Sequence, residues 1–417
     1  MDALTRRRFL IASGVTGAVA LAGGATAIGL HELLAKAPDD ARPEAGADEP
    51  KLVLVTLYGG NDGLNTVIPY ADPAYHSARP ELAYAPETVL HLDDELGLNP
   101  KMTGLKRVWD AKRLAIVRGV QYPKPDHSHF RSMDIWQSAS PAGAADTGWI
   151  GRWLDGTNAP IETAVSFEPT LPPLLVGRSR VGACVNYREL TLPDWFEPDV
   201  ISALGRVQPG EPPLQARAAA SFADLIGMAQ EIRDADQVTA SPDDDTRAGG
   251  TATGGSSALS AQLALVARCI TAGVPTRVYS VSLGGFDTHA DEKAGQELLL
   301  GQLDQALTEF YDKMAASPAG HKVTVVVYSE FGRRVRANAS DGTDHGTAGP
   351  LFVLGSSVAG GFYGEQPSLT DLDDGDLKAT TDFRDVFGTV LASVLGAEPE
   401  RYLNGYQPRT MPLIVPG

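Results

Sequence analysis

Five short runs in the chain are apolar or β-branched at nearly every position and stop at glycine or a polar cluster. They are KLVLVTLYGG (51–60), RLAIVRGV (113–120), TRVYSVSLGG (276–285), KVTVVVYSE (322–330) and PLFVLG (350–355). Alternation within them is weak, so both faces of each run are apolar. That pattern predicts buried strands of a mainly parallel sheet. Between the runs the apolar positions recur at helical spacing. ALSAQLALVARCITAG (258–273) carries Leu259, Leu263, Leu265, Val266 and Ile270 and ends at Gly273. AGQELLLGQLDQALTEFYDKMAAS (294–317) has a similar stripe, and ATTDFRDVFGTVLASVLG (379–396) opens on a Thr381/Asp382 cap and closes at Gly396. Strand–helix–strand order of this kind predicts an α/β layered fold.

The stretches outside this pattern set the domain plan. At the start, TRRRFL (5–10) leads into a mild, Gly- and Ala-rich apolar run. Two arginines, Phe, Leu and a weakly hydrophobic segment resemble a twin-arginine export signal over residues 1–37, either cleaved after a small residue or kept as an anchor. Export of that kind carries folded proteins, which suits a metal loaded beforehand, and places the protein outside the cytoplasm. The acidic, Pro-containing residues 38–50 read as a tether. Residues 51–417 read as one domain, with a mobile loop at the low-complexity residues 241–257 and a Pro-rich cap or insertion at 155–215.

With 417 residues and 43 % hydrophobic content, the chain can bury a large core. Its net charge of −17 and the lack of a basic stripe argue against nucleic acid, and against membrane contact other than through an uncleaved signal. The two cysteines, Cys184 and Cys269, form no CxxC pair and exclude a sulfur-based zinc site. They read as one disulfide or as two buried thiols.

In open α/β sheets ligands bind beyond the carboxyl ends of the strands, and there the polar residues gather. GGNDGLN supplies Asp62, and QYPKPDHSHFRS supplies Asp126, His127, Ser128 and His129. GGFDTH supplies Asp287 and His289, and SEFGRR supplies Glu330 and Arg333. SDGTDHGTAG, before the fifth run, supplies Asp344 and His345. Mixed carboxylate and imidazole donors suit zinc, manganese or a similar divalent ion, magnesium included. Each residue also has a plain structural reading. Asp62 could bond its own turn, Asp287 could cap a helix, and Glu330 could pair with Arg333 rather than metal. Ser128 begins a helix with Phe130, Met133 and Trp136 facing inward. It reads either as an N-cap or as a nucleophile favoured by the helix dipole.

LYGGNDGLNTVIPY, SHFRSMDIWQSA, GGFDTHADE and SEFGRRVRANASDGTDHGTAGPLFVLG together resemble the DUF1501 family, twin-arginine-exported bacterial proteins of the alkaline phosphatase-like (sulfatase-like) superfamily. The resemblance implies a three-layer sandwich with a mixed, mainly parallel central sheet and one or two divalent ions at one sheet edge. It implies an exported hydrolase of a phosphate or related ester, with Ser128 or a metal-bound water as attacker, His129 beside it and Arg333 aiding the anion. The metal set it implies is Asp62, Asp287, His289, Glu330, Asp344 and His345, with Asp344 as a ligand or as a partner of His345. Where the superfamily has Asp-His-Gly, this chain has Glu330-Phe331-Gly332, so one histidine is missing. That departure keeps open a non-catalytic glycan- or partner-binding protein on the same fold. On family grounds, a DUF1800 protein is an expected partner.

Overall fold

Residues 33, 49–143, 145–185 and 259–415 are described by the structure, a computed structural model. Residues 1–37, read above as an export signal, Leu33 excepted, all but the last two residues of 38–50, residue 144, residues 186–258, which include the loop expected at 241–257, and the last two residues lie outside the described residues.

The apolar runs pair into one nine-stranded sheet. Its strands are β1 (Lys51–Leu57), β2 (Leu114–Gln121), β3 (Ala164–Ser166), β4 (Ala183–Cys184), β5 (Val278–Leu283), β6 (Val323–Ser329), β7 (Gly349–Leu354), β8 (Gly361–Tyr363) and β9 (Thr381–Asp382). The order is β8-β2-β7-β6-β1-β5-β3-β4, with β9 also paired to β2. Every pairing is parallel except those of β7, which runs antiparallel to β2 and to β6. The sheet is therefore mixed and mainly parallel, as the runs predict.

Both faces of β1 are covered, which explains its lack of alternation. Val53, Val55 and Leu57 enter one core with the helices α1 (Thr103–Asp110), α4 (Leu259–Thr271) and α5 (Glu292–Ala315). Leu52 and Leu54 enter a second core with α2 (His129–Ser138), α3 (Trp149–Thr157) and α6 (Phe383–Ser393). Helix, sheet and helix make three layers. Leu33 is buried in the first core.

Two expectations change. The described part of the 155–215 segment does not only cap the fold. It adds β3 and β4 to the sheet, strands too short to register as apolar runs. On α2, Met133 and Trp136 face inward, but Phe130 is 63 % exposed. Cys184 and Cys269 are both buried free thiols.

The antiparallel β7 matters for the site. It starts where its neighbours end, so the loop before β7 meets the loops that follow β1, β5 and β6. A carboxyl-edge site on this sheet thus takes one of its walls from a segment that precedes a strand.

Candidate metal centre

Asp287 stands four residues beyond the end of β5, and three imidazoles converge on it. Its Oδ1 lies 3.0 Å from His289 Nε2, 3.1 Å from His345 Nε2 and 3.4 Å from His129 Nε2. The two outer imidazoles are 3.0 Å apart, Nε2 to Nε2. A tetrahedral ion with N and O ligands at ~2.0–2.1 Å spaces its donor atoms about 3.3 Å apart, close to the 3.1 and 3.4 Å that separate the His345 and His129 nitrogens from Asp287 Oδ1. Among the described residues, His129, Asp287 and His345 form the one partly buried group able to hold such an ion.

Each imidazole is steered through its other nitrogen. His129 Nδ1 bonds Glu330 Oε1 at 2.8 Å, and His345 Nδ1 donates to the His127 carbonyl oxygen at 2.8 Å. His289 Nδ1 stands 3.7 Å from Asp344 Oδ1, a looser restraint on the most exposed ring. This is how metal-binding histidines are usually held, with the far nitrogen bonded to carboxylate or carbonyl so that Nε2 is presented. His129 Nε2 is buried and lacks a hydrogen-bond partner, since its 3.4 Å approach to Asp287 does not have hydrogen-bond geometry. A buried orphan nitrogen is costly, and an ion would satisfy it. By this test the residues fit a metal.

The electrostatics agree. Burial pushes the Asp287 carboxyl up, but the nearby His129 and His345 imidazoles and the Arg333 guanidinium overwhelm it and hold the group far below the usual carboxylate range. Burial lowers the His129 pKa, but the Asp287 and Glu330 carboxylates outweigh it and raise it to about 9. The centre thus stabilises positive charge between these side chains.

The loops are pinned to one another. The N–H groups of Asp291 and Glu292, entering α5, donate to the carbonyls of Ser340 and Asp341. Gly342 lies so close to His289 that a Cβ there would sit 2.4 Å from the histidine's carbonyl carbon. Gly59, at φ +114°, would place a Cβ 2.5 Å from the Asp287 nitrogen. The glycines of SDGTDHGTAG and LYGGND therefore serve close approach.

Several candidates stand elsewhere or do something else. Asp62 is not brought to the cluster: its Oδ2 takes a 2.5 Å ion pair from the buried Arg79, and its Oδ1 caps the turn at Leu64. Glu330 is fully buried one bond behind the centre, accepting from Gly59 N and Ser329 Oγ as well as His129. It orients His129 rather than facing the ion. Arg333 is not free to hold an anion. Its nitrogens donate to the carbonyls of Gly59, Gly60, Phe286 and Thr343 and to Asp287 Oδ1, with the residue only 1 % exposed. Ser128 caps α2 through a long 3.5 Å bond from Arg131 N and is exposed. Phe331, at the position of the missing histidine, packs 4.9 Å from the rings of both His129 and His345.

The sequence reading placed His129 beside the nucleophile, not among the metal donors. Two partners it did not single out are Arg79 and Asp376; the latter bonds His127 Nε2 at 2.7 Å. Neither sits in a local pattern that could have marked it.

A family model described as "Protein of unknown function (DUF1501)" matches residues 121–415. The chain belongs to the DUF1501 family. The matched span contains every donor of the centre. Among solved structures, this DUF1501 protein is similar to a protein of the alkaline phosphatase superfamily from Vibrio parahaemolyticus, at 11 % identity and a TM-score of 0.41 over 94 % of this chain and 75 % of the other. It is similar to the C-terminal periplasmic domain of EcEptC from Escherichia coli in complex with Zn, at 10 % identity and 0.38 over 89 % and 91 %. It is similar to the phosphonate monoester hydrolase of Agrobacterium radiobacter, at 12 % identity and 0.35 over 87 % and 79 %. No curated protein matches the chain.

Proposed function

We propose that this DUF1501 protein is an exported hydrolase of a phosphate or related ester, working with a divalent transition ion held by His129, Asp287, His289 and His345. The observation that carries the reading is the convergence of three Nε2 atoms on Asp287 Oδ1, with the His129 nitrogen left orphaned. Three imidazoles and one carboxylate favour zinc, with manganese as the next candidate. When bound, the ion would supply Lewis-acid stabilisation of charge developing on the ester oxygens.

The chain's own residues supply the rest. Ser128 stands one residue before His129, exposed, at the N-terminus of the ten-residue α2. That end presents backbone N–H groups and a positive dipole to an anion and to a developing alkoxide. Ser128 is the proposed nucleophile. Glu330 holds His129 in place, and the His127 carbonyl does the same for His345. Export rests on the TRRRFL segment; among the described residues, no helix is long and apolar enough to cross a membrane.

A second reading has one observation behind it. With His289 added to the close group of His129, Asp287 and His345, four protein donors would fill a tetrahedral shell, whereas catalytic zinc keeps one position open. On that reading the centre is structural and the protein binds a glycan or a protein without turnover. A screen of phosphomonoesters, phosphodiesters and sulfate esters, with zinc, manganese or magnesium added, separates the two. Metal-dependent turnover supports the hydrolase. Full metal loading with no turnover on any class supports the binding protein. Metal content well under one ion per chain would defeat both.

A further inference from the structure

A two-ion centre needs about six donors, and sequence alone offers enough acids and histidines for one. The structure spends the extra carboxylates elsewhere. Asp62 is ion-paired to Arg79, and both side chains are fully buried. Both Glu330 oxygens are taken, Oε1 by Gly59 N and His129 Nδ1, Oε2 by Ser329 Oγ. Asp344 is largely exposed, and its Oδ1 accepts from Asn338 Nδ2 at 3.2 Å. The carboxylate that a second ion would have to share, Asp287, already receives a 3.0 Å bond to Oδ1 from Arg333. That guanidinium is a fixed cation, locked by four backbone carbonyls.

We infer that the centre holds one ion and not two, with Arg333 supplying the second positive charge at Asp287 and Glu330 acting on the single ion only through His129. The inference rests on the metal reading above and sharpens it. A carboxylate facing an ion and a carboxylate bonded behind an imidazole have different signatures. Removal of the first removes a site, and removal of the second weakens one. For the second kind, losses of about 10–100-fold in metal affinity are usual.

The test is metal stoichiometry on the full-length protein, by elemental analysis after equilibration with zinc and separately with manganese, together with zinc affinity by chelator competition. The wild type is expected to bind one ion per chain. Glu330→Gln, which keeps the shape and an acceptor for Gly59 N, is expected still to bind one, about 10–100-fold more weakly. Two ions on the wild type would overturn this inference and leave the metal reading standing, whereas no ion would overturn the metal reading itself. Unchanged affinity in Glu330→Gln would overturn the role given to Glu330. Should that variant not fold, the wild-type count alone decides between one ion and two.

Discussion

His345 Nδ1 donates to the backbone carbonyl of His127 at 2.8 Å, across 218 residues of sequence. The bond leaves only Nε2 of His345 to face Asp287, and it ties the loop before β7 to the segment that enters α2. His345→Ala should remove a donor and this tie together. Metal affinity should fall at least about 100-fold, beyond what loss of a supporting partner costs, and the metal-induced rise in melting temperature should shrink with it. His321→Ala, at an exposed turn before β6, is the control and should change neither quantity. Calorimetry with and without zinc reads both variants.

Ser128→Ala separates capping from chemistry. The capping bond is long and solvent-exposed, so stability should drop by only about 0.5–1 kcal/mol. Turnover on any ester found in the screen should be lost. Retained turnover would remove the serine from the mechanism and leave the metal centre intact.

Arg333→Lys should be severe and independent of metal. An ammonium cannot reproduce a planar fork that reaches four carbonyls and a carboxylate, and each buried acceptor left unpaired costs about 1–3 kcal/mol. Denaturant unfolding of the metal-free protein should show a loss of that order. A loss seen only in the metal-loaded form would contradict the clamp role.

Glu292 gives the fold a pH dependence. Burial first, then the neighbouring Asp62 carboxylate, raise its pKa, so the folded protein keeps it protonated well above the ordinary carboxylate range. The unfolded chain loses that proton near its free value of about 4.3. Above this value the unfolded state binds fewer protons, so stability falls as pH rises, by up to about 1.4 kcal/mol per pH unit. Glu292→Gln keeps an acceptor for Thr343 Oγ1 and removes the titration. Its unfolding free energy should decline less steeply than the wild type's between about pH 5 and 8.

The sheet was legible where strands are long and covered on both sides, because burial forces β1, β2, β5, β6 and β7 to be apolar throughout. Strands of two or three residues, such as β3, β4, β8 and β9, carry too few positions to show a period. At the site, the rule that ligands gather beyond strand ends picked out the loops holding Asp287, His289 and His345, and it flagged the segment with His129. It could not tell a carboxylate facing the centre from one facing away. Asp62 follows β1 as expected, yet Arg79 claims it from 17 residues downstream. Glu330 ends β6 as expected, yet its oxygens turn to Gly59, Ser329 and His129. Those choices are made by tertiary partners, which a local pattern does not encode.

The reversed direction of β7 also makes the centre depend on contacts far apart in the sequence. Its strand comes late in the chain but lies between β2 and β6, and the loop that carries His345 leads directly into it. The donors run from residue 129 to residue 345, so no early fragment of the chain can hold them together, and contacts this far apart form slowly. The proposed ion site is therefore complete only in a chain whose β7 has joined the sheet. Binding of the proposed ion would then report on pairing between distant parts of the chain rather than on local structure.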